Sequence, residues 1–475
     1  MAVVCIDAGT TMIKAVGYDE EGAEAVVARR ATTVTRPRPG WAEQDMNAVW
    51  EAVVSCVREV VEGVAGPVDY VAVTAQGDGC WLVGPDGEPT GPAILWNDAR
   101  AAAFVADWTE AGVLERAFHR NGSLTFAGLP NAVLAWLRLH DPERLDRSAT
   151  ALTCGGWLFS KLTGRVAVDS SDASAPFTDL ATGRYSAELL ALYDLEWAAP
   201  LLPEQLDDED RAAPLTAHGL GLPAGTPVVL SSYDIASTAV GVGAVTPGQA
   251  CTILGTTLCT EIVTDRVELG ERASGLTVAL GLPGLHLRAF PTLAGGEVIG
   301  WACEMLGLSH PADLGELATL APAGAEGLVF LPYLSPAGER APFLDPFARG
   351  AFVGLSFEHR REHLARAVME GLSMVIRDCL TASHVRPTEL RVCGGGAASE
   401  VWTRLIADVT GLPVLRTADE EAGARGAYVM GGLATGALAK VPEPRVRQAL
   451  DPAAGPYDEL FDRFLRVRES VRSGR

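Results

Sequence analysis

Ala2-Val-Val-Cys-Ile-Asp-Ala-Gly-Thr-Thr-Met-Ile-Lys-Ala-Val16 predicts a hairpin, with Val3, Val4 and Ile6 leading into a turn at 8–11 and Ile13, Ala15 and Val16 leading out. Gly9, Thr10 and Thr11 carry little bulk at the turn, so backbone N–H groups can converge on a phosphate and hydroxyls can complete the donor set. Asp7, just before them, can orient the water shell of a divalent cation, which takes oxygen ligands and retains water. An ordinary glycine-turn hairpin would use the same residues, so this stretch alone leaves both readings open. The repetition carries more weight. Leu254-Gly-Thr-Thr257 follows a second strand pattern at 250–254, about half a chain later. Two Gly-Thr-Thr turns in separate halves predict two related α/β units and not a short-period solenoid. The glycine- and proline-bearing run at 241–248 suits a hinge, giving domains at 1–245 and 246–475.

Between the two turns, Val49, Val53, Val57, Val60, Val61 and Val64 recur at helical spacing, and 68–75 reads as a strand ending at Gln76, Gly77 and Asp78. The segment 200–227, rich in proline, glycine and acidic residues, reads as a surface excursion before an apolar strand at 228–230. Asp234 follows that strand and precedes a small-residue run read as a helix. Farther on, Leu390-Arg-Val-Cys-Gly-Gly-Gly396 is a strand running into three glycines, with Ser399 and an amphipathic helix behind it. Such a turn lets a flat base approach the backbone; a tight turn without a ligand is the alternative.

Composition narrows the partners. The chain has 475 residues, room for two domains, and 48% hydrophobic with 21% charged residues is the balance of an ordered globular protein. A formal charge of −22 without a dense basic block disfavours nucleic acid and anionic membranes. Nine scattered cysteines with no CxxC pair signal neither a disulfide framework nor a zinc site, and a reducing cytoplasm is expected. No apolar run approaches about 20 residues, and the N-terminus lacks a secretory pattern. A homodimer is admitted but not signalled, because an apolar association patch reads like core in a sequence.

The chemistry is sharper. There is no GxxxxGK[ST] loop, GxGxxG fingerprint, HExxH or GxSxG. Transfer of a phosphoryl group to an alcohol needs a held hydroxyl, a base and compensation for phosphoryl charge. Asp234 is placed to be that base; alone, it reads first as a helix cap. Gln76, Asp78 and Trp81 form one polyol-type cluster, and Trp96, Asn97, Asp98 and Arg100 another, both after apparent strand ends where α/β ligand sites lie. Either tryptophan could instead belong to the core.

Together these residues resemble the FGGY carbohydrate kinases, the family that includes glycerol kinase, xylulokinase, ribulokinase and erythritol kinase. The resemblance rests on DAGTTMIK at 7–14, ILWNDARA at 94–101, KLTG at 161–164, LGTT at 254–257, PYLSPAGERAPF at 332–343 and GGGAASEVWTRLIADVTGLPV at 394–414. It implies an α/β chain of two ribonuclease-H-like domains of the actin and hexokinase type, with ATP, Mg2+ and the sugar in an interdomain cleft. It implies Asp234 as catalytic base, and phosphate contacts from Gly9, Thr10, Thr11, Gly255, Thr256 and Thr257. Gly395, Gly396 and Ser399 would serve the adenosine side, Asp7 the magnesium water shell, and Gln76, Asp78, Trp81, Asn97, Asp98 and Asp234 the substrate. Glu339, Arg340 and Pro342 look architectural, and 359–380 reads as a core helix.

One departure bears on the substrate. Gln76-Gly77-Asp78-Gly79 stands where xylulokinases carry Gln-Met-His-Gly, exchanging an imidazole for a carboxylate and open space, which points away from D-xylulose. The expected acceptor is a tetritol such as erythritol or a pentulose of the L-xylulose type. A nucleotide-driven conformational protein of the actin or Hsp70 type, and a catalytically silent sugar sensor, are the competing readings.

Overall fold

The computed structural model describes residues 2–473. It forms two compact units: 1–243 with 276–287 and 421–443, and 244–275 with 288–420 and 444–475. The return of 276–287 and 421–443 to the first unit is not visible in the local sequence pattern.

In the first unit, strand Ala2–Ala8 pairs antiparallel with Met12–Tyr18, which pairs antiparallel with Glu24–Ala31. On its other side Ala2–Ala8 runs parallel to Val68–Ala75, which runs parallel to Pro227–Leu230. The short strand Ala212–Pro214 closes that edge antiparallel, so the excursion read at 200–227 contributes a sheet strand. The buried parallel strands are near-continuous apolar runs, as a sheet covered on both faces requires. Helix Met46–Gly63 covers one face: Asp45 caps it by accepting from the N–H groups of Asn47 and Ala48, and Val49, Val53, Val57 and Val60 are buried at helical spacing.

The second unit repeats the plan. Gln249–Leu254 and Leu258–Thr264 form an antiparallel hairpin around the second Gly-Thr-Thr turn, and Gln249–Leu254 runs parallel to Glu389–Cys393. That strand runs parallel to Val414–Thr417, which pairs antiparallel with Val446–Leu450. Both units thus have a glycine-turn hairpin, two parallel neighbours and an antiparallel edge. The long helix Arg361–Ala382 buries Ala365, Val368, Leu372, Val375 and Cys379 in this core.

Two helices of the first unit meet with almost no side chain between them. Helix Asp234–Gly241 faces helix Ala422–Thr435, and a Cβ on Gly426 would lie 1.8 Å from the carbonyl oxygen of Ser237. A Cβ on Gly241 would lie 1.9 Å from the carbonyl oxygen of Ala422. Glycine is required at both places by backbone proximity. Ser237 Oγ donates to the carbonyl of Gly423 (3.0 Å), tying the helices further. No helix among the described residues is long and apolar enough to cross a membrane.

Candidate active site

Asp7 is the last residue but one of the first strand, with Lys14 Nζ of the neighbouring strand 3.9 Å from its Oδ2. Lys14 is held closer to Glu421, at 2.6 Å. A Cβ on Gly423 would sit 2.9 Å from the Asp7 carboxylate, so the glycine-rich helix start leaves room for that acid. Burial pushes the Asp7 pKa up, Lys14 opposes the rise and Glu421 adds to it.

The first turn is buttressed from behind. Thr10 Oγ1 donates to Gln76 Oε1 (2.7 Å) and accepts from the indole N–H of Trp96 (2.9 Å). Gln44 Nε2 and Thr32 Oγ1 donate to the Thr10 carbonyl, and Gln76 Nε2 donates to Gln44 Oε1 (2.9 Å). A hydroxyl has one proton, and here Gln76 takes it. The expectation that the Thr10 hydroxyl donates to a phosphate is therefore corrected: its side chain braces the turn. Thr11 is exposed, and Gln76, 2% exposed, is the centre of this brace.

Two further expectations are corrected. Trp81 is 1% exposed and packs against Trp157 at 5.5 Å between ring centroids, so it is core and offers no wall to a ligand. The Asp98 carboxyl is fully covered: Oδ2 accepts from Ala42 N–H (2.6 Å) and Arg100 Nη2 (2.9 Å), and Oδ1 from Arg100 Nε (2.9 Å) and its backbone N–H (2.8 Å). Asp98 locks a turn and has no capacity left for a substrate hydroxyl. Its neighbour Asn97 differs, since its buried Oδ1 has no partner.

Asp234 occupies the first turn of helix Asp234–Gly241, with Tyr233 at the cap position, so the helix-cap alternative does not account for it. Its side chain keeps part of its surface open. Burial, then the charge of Asp7, and more weakly that of Asp78, push its pKa up to about 8, although the N–H of Ile235 stabilises the charged form. Asp78 sits at φ 55°, a left-handed conformation aspartate tolerates, and its Oδ2 accepts from the hydroxyl of Tyr233 (3.3 Å). A Cβ on Gly77 would meet the Tyr233 ring at 2.4 Å, so the open space expected beside Asp78 is filled by that ring.

Sequence reasoning missed Tyr233, Gln44 and Asp172. Asp172 Oδ2 accepts from Thr153 Oγ1 (2.8 Å), while its buried Oδ1 has no partner. Burial and the charge of Asp169 raise its pKa well above the ordinary carboxylate range, and Asp78 and Asp234 add to the rise. Ser-Ser-Asp-Ala at 170–173 carries no periodic signal. Only the fold brings it to this cluster.

In the second unit, Gly255, Thr256 and Thr257 form the turn between the hairpin strands, with Thr256 exposed. Helix Gly296–Leu306 starts against it: Gly296 N–H donates to the Gly255 carbonyl (2.9 Å) and Glu297 N–H to that of Thr256 (3.1 Å). A Cβ on Gly396 would strike the Trp402 ring at 2.5 Å, so that glycine serves packing. A Cβ on Gly395 would meet nothing within 4 Å, so that glycine borders open space. Ser399 caps helix Glu400–Thr410 by accepting from Trp402 N–H. Glu339 Oε1 accepts from the N–H groups of Leu293 (2.7 Å) and Arg340 (2.9 Å), an architectural use.

Comparison with known proteins decides what this arrangement belongs to. The N-terminal domain model of the FGGY family of carbohydrate kinases matches residues 2–241 and the C-terminal domain model matches 250–435. The chain belongs to the FGGY family. It is 34% identical over 498 residues to the erythritol kinase of Brucella abortus, covering 98% of this chain and 95% of that protein. It is 30% identical to the xylulose kinase of Escherichia coli, covering 98% and 97%. Among solved structures, the xylulose kinase of Rhodospirillum rubrum superposes with a TM-score of 0.90 at 27% identity, covering 100% and 99%. This FGGY chain is accordingly an ATP-dependent carbohydrate kinase with the two-domain α/β fold of the actin and hexokinase type. The actin- or Hsp70-type and silent-sensor readings find no support in these matches.

Proposed function

We propose that this FGGY kinase transfers the γ-phosphoryl group of ATP to a terminal hydroxyl of a four- or five-carbon polyol or ketose, with a tetritol of the erythritol type as the leading acceptor. The observation that carries the proposal is Asp234, partly open at a helix start beside Asp7 and Asp78, with a carboxyl that binds a proton near neutral pH. Asp234 takes the acceptor's hydroxyl proton. Asp78, with the Tyr233 hydroxyl on its Oδ2, and the unpaired Asn97 Oδ1 orient neighbouring hydroxyls. The domain division at 245/246 assigns acceptor, base and first turn to the N-terminal half. It assigns the second turn and the adenosine contacts to the C-terminal half. In the N-terminal half the backbone N–H groups of the first Gly-Thr-Thr turn and the Thr11 hydroxyl offer donors to phosphate; in the C-terminal half the second turn does so with the Thr256 and Thr257 hydroxyls, and the open surface at Gly395 takes the adenosine.

Asp7 fits the water shell of a hydrated Mg2+, because burial raises its carboxyl's pKa and a hard divalent cation nearby would favour the charged form. Such an ion would neutralise charge on the ATP phosphates. Among the described residues no cluster of three or more His, Cys, Asp or Glu forms a complete metal cage by itself. All nine cysteines are buried and none is in a disulfide, which supports work in the reducing cytoplasm.

The substrate proposal is supported by the Asp78 carboxylate, held by the Tyr233 hydroxyl, and by the 34% identity to an erythritol kinase. An ADP-release assay over erythritol, the pentitols, D- and L-xylulose, D- and L-ribulose and glycerol is expected to give erythritol the highest kcat/KM. D-xylulose as the best acceptor would overturn the choice. Tyr233→Phe, which removes the phenol's bond to Asp78, is expected to raise KM for the acceptor about tenfold with kcat within about twofold, as loss of one hydrogen bond to a charged group predicts. Steady-state kinetics at saturating ATP check it.

A further inference from the structure

A hollow of about 480 Å³ lies within the first unit; of the residues read above as nucleotide, metal or acceptor contacts, Arg100 alone lines it, and Asp98 and Glu43 hold that side chain. Two tryptophans form its aromatic wall: Trp41 and Trp136 meet edge to face, with centroids 5.2 Å apart. Arg100 stacks with its guanidinium carbon 3.9 Å from the Trp41 centroid, and Arg38 stands 4.8 Å from the same ring. Arg100 spends its Nε and Nη2 on Asp98 and Glu43 and so holds the wall in place, whereas stacking of Arg38 leaves that guanidinium's edge open to oxyanions.

Arg144 is the unusual member. It is 5% exposed, its Nη2 donates to the Pro92 carbonyl (2.6 Å), and its buried Nε–H has no acceptor. Among the described residues it makes no ion pair. A side chain at Gly91 would come within 2.9 Å of its guanidinium carbon, so glycine there makes the room in which this cation lies. A buried cation without a carboxylate is expensive unless something else compensates it. Arg147 stands exposed at the rim. Of the acids lining the hollow, Glu43 is held by Arg100 at 2.7 Å, leaving Asp141. With Arg100 taken by Glu43 and Asp98, the guanidinium groups of Arg38, Arg144 and Arg147 face the one remaining carboxylate of the lining, Asp141, a local positive surplus in a chain whose net charge is −22.

We infer that this hollow is a second ligand site, which binds a small phosphomonoester such as a sugar or polyol phosphate. The guanidinium forks match phosphate oxygens, and the indoles offer a surface to the ligand's carbon face. The hollow is too small, and the rest of the molecule too acidic, for a nucleic acid.

The test is calorimetric titration of the full chain with ribose 5-phosphate, inorganic phosphate and citrate. The nucleotide site is kept filled with a non-hydrolysable ATP analogue and Mg2+. Saturable binding of ribose 5-phosphate with a Kd below about 1 mM is expected, weaker binding of inorganic phosphate, and weakening of both as salt rises. Arg38→Gln and Arg147→Gln, exposed substitutions that leave folding intact, should each weaken it several-fold while kcat/KM of the kinase reaction stays unchanged. Absence of saturable binding below about 10 mM overturns the inference. So does binding that both rim variants leave intact, or citrate binding more tightly than the phosphomonoester.

Discussion

Asp234→Asn is expected to lower kcat by about three orders of magnitude, within the range for removal of a general base, while the affinity for ATP changes little. Asparagine matches the carboxylate in shape but cannot accept the acceptor's proton. The pH dependence of the unaltered enzyme follows from the same group. With the Asp234 pKa raised to about 8 in the free protein, kcat/KM should climb with pH below about 8 and level off above it. Stability moves the other way. A carboxyl whose folded pKa exceeds its unfolded value contributes stability that is fully present below the unfolded value and is lost as pH rises through about 8. Asparagine never ionises, so Asp234→Asn should melt higher than the unaltered protein at pH 8 and equal to it near pH 3. Single-turnover kinetics and melting curves across that range check both halves. More than a few per cent of residual kcat would remove Asp234 from the role of base.

The second large effect is structural. Gly426→Ala should destabilise the first unit by on the order of 3 kcal/mol, at the upper end for overpacking, because the new methyl group would stand 1.8 Å from a carbonyl oxygen that belongs to a helix backbone. A flexible side chain could turn away; a helix has to shift as a body. The displaced helix carries Asp234 at its first turn, so activity should fall with stability. Gly300→Ala is the control. It lies inside helix Gly296–Leu306 with no atom within 4 Å of the added methyl, and is expected to be neutral or stabilising by about 0.5 kcal/mol. Denaturant unfolding of the two variants separates the cases.

The same helix pair shows where sequence reading stops. The two Gly-Thr-Thr turns, the strands before them and helix Met46–Gly63 are local in origin, set by alternation, glycine and capping, and were legible. Ala-Gly-Ala-Arg-Gly-Ala-Tyr-Val-Met-Gly-Gly at 422–432 reads as a poor helix, since each glycine weakens it in isolation. Gly426 and Gly423 make sense only against Ser237 and Asp7, nearly two hundred and more than four hundred residues away. Trp81 and Trp96 illustrate the same limit. Both stand beside polar residues in the sequence, yet one indole packs against Trp157 and the other donates to Thr10. Asp98 looked like a ligand because its true partner, Arg100, could equally have been one. Which acid faces a pocket and which faces an arginine depends on the path of the backbone, and two neighbouring charges do not reveal it.

The membership of 421–443 in the first unit also has a consequence in time. The ribosome makes this chain from its N-terminus, and about 180 residues separate helix Asp234–Gly241 from the helix that covers it. At roughly 5–20 residues per second that interval is about ten to forty seconds, during which the earlier helix has no Ala422–Thr435 to pack against. The N-terminal unit is therefore completed almost last, and the nascent chain must keep an apolar, glycine-lined seam from mispairing until nearly all of it has been synthesised.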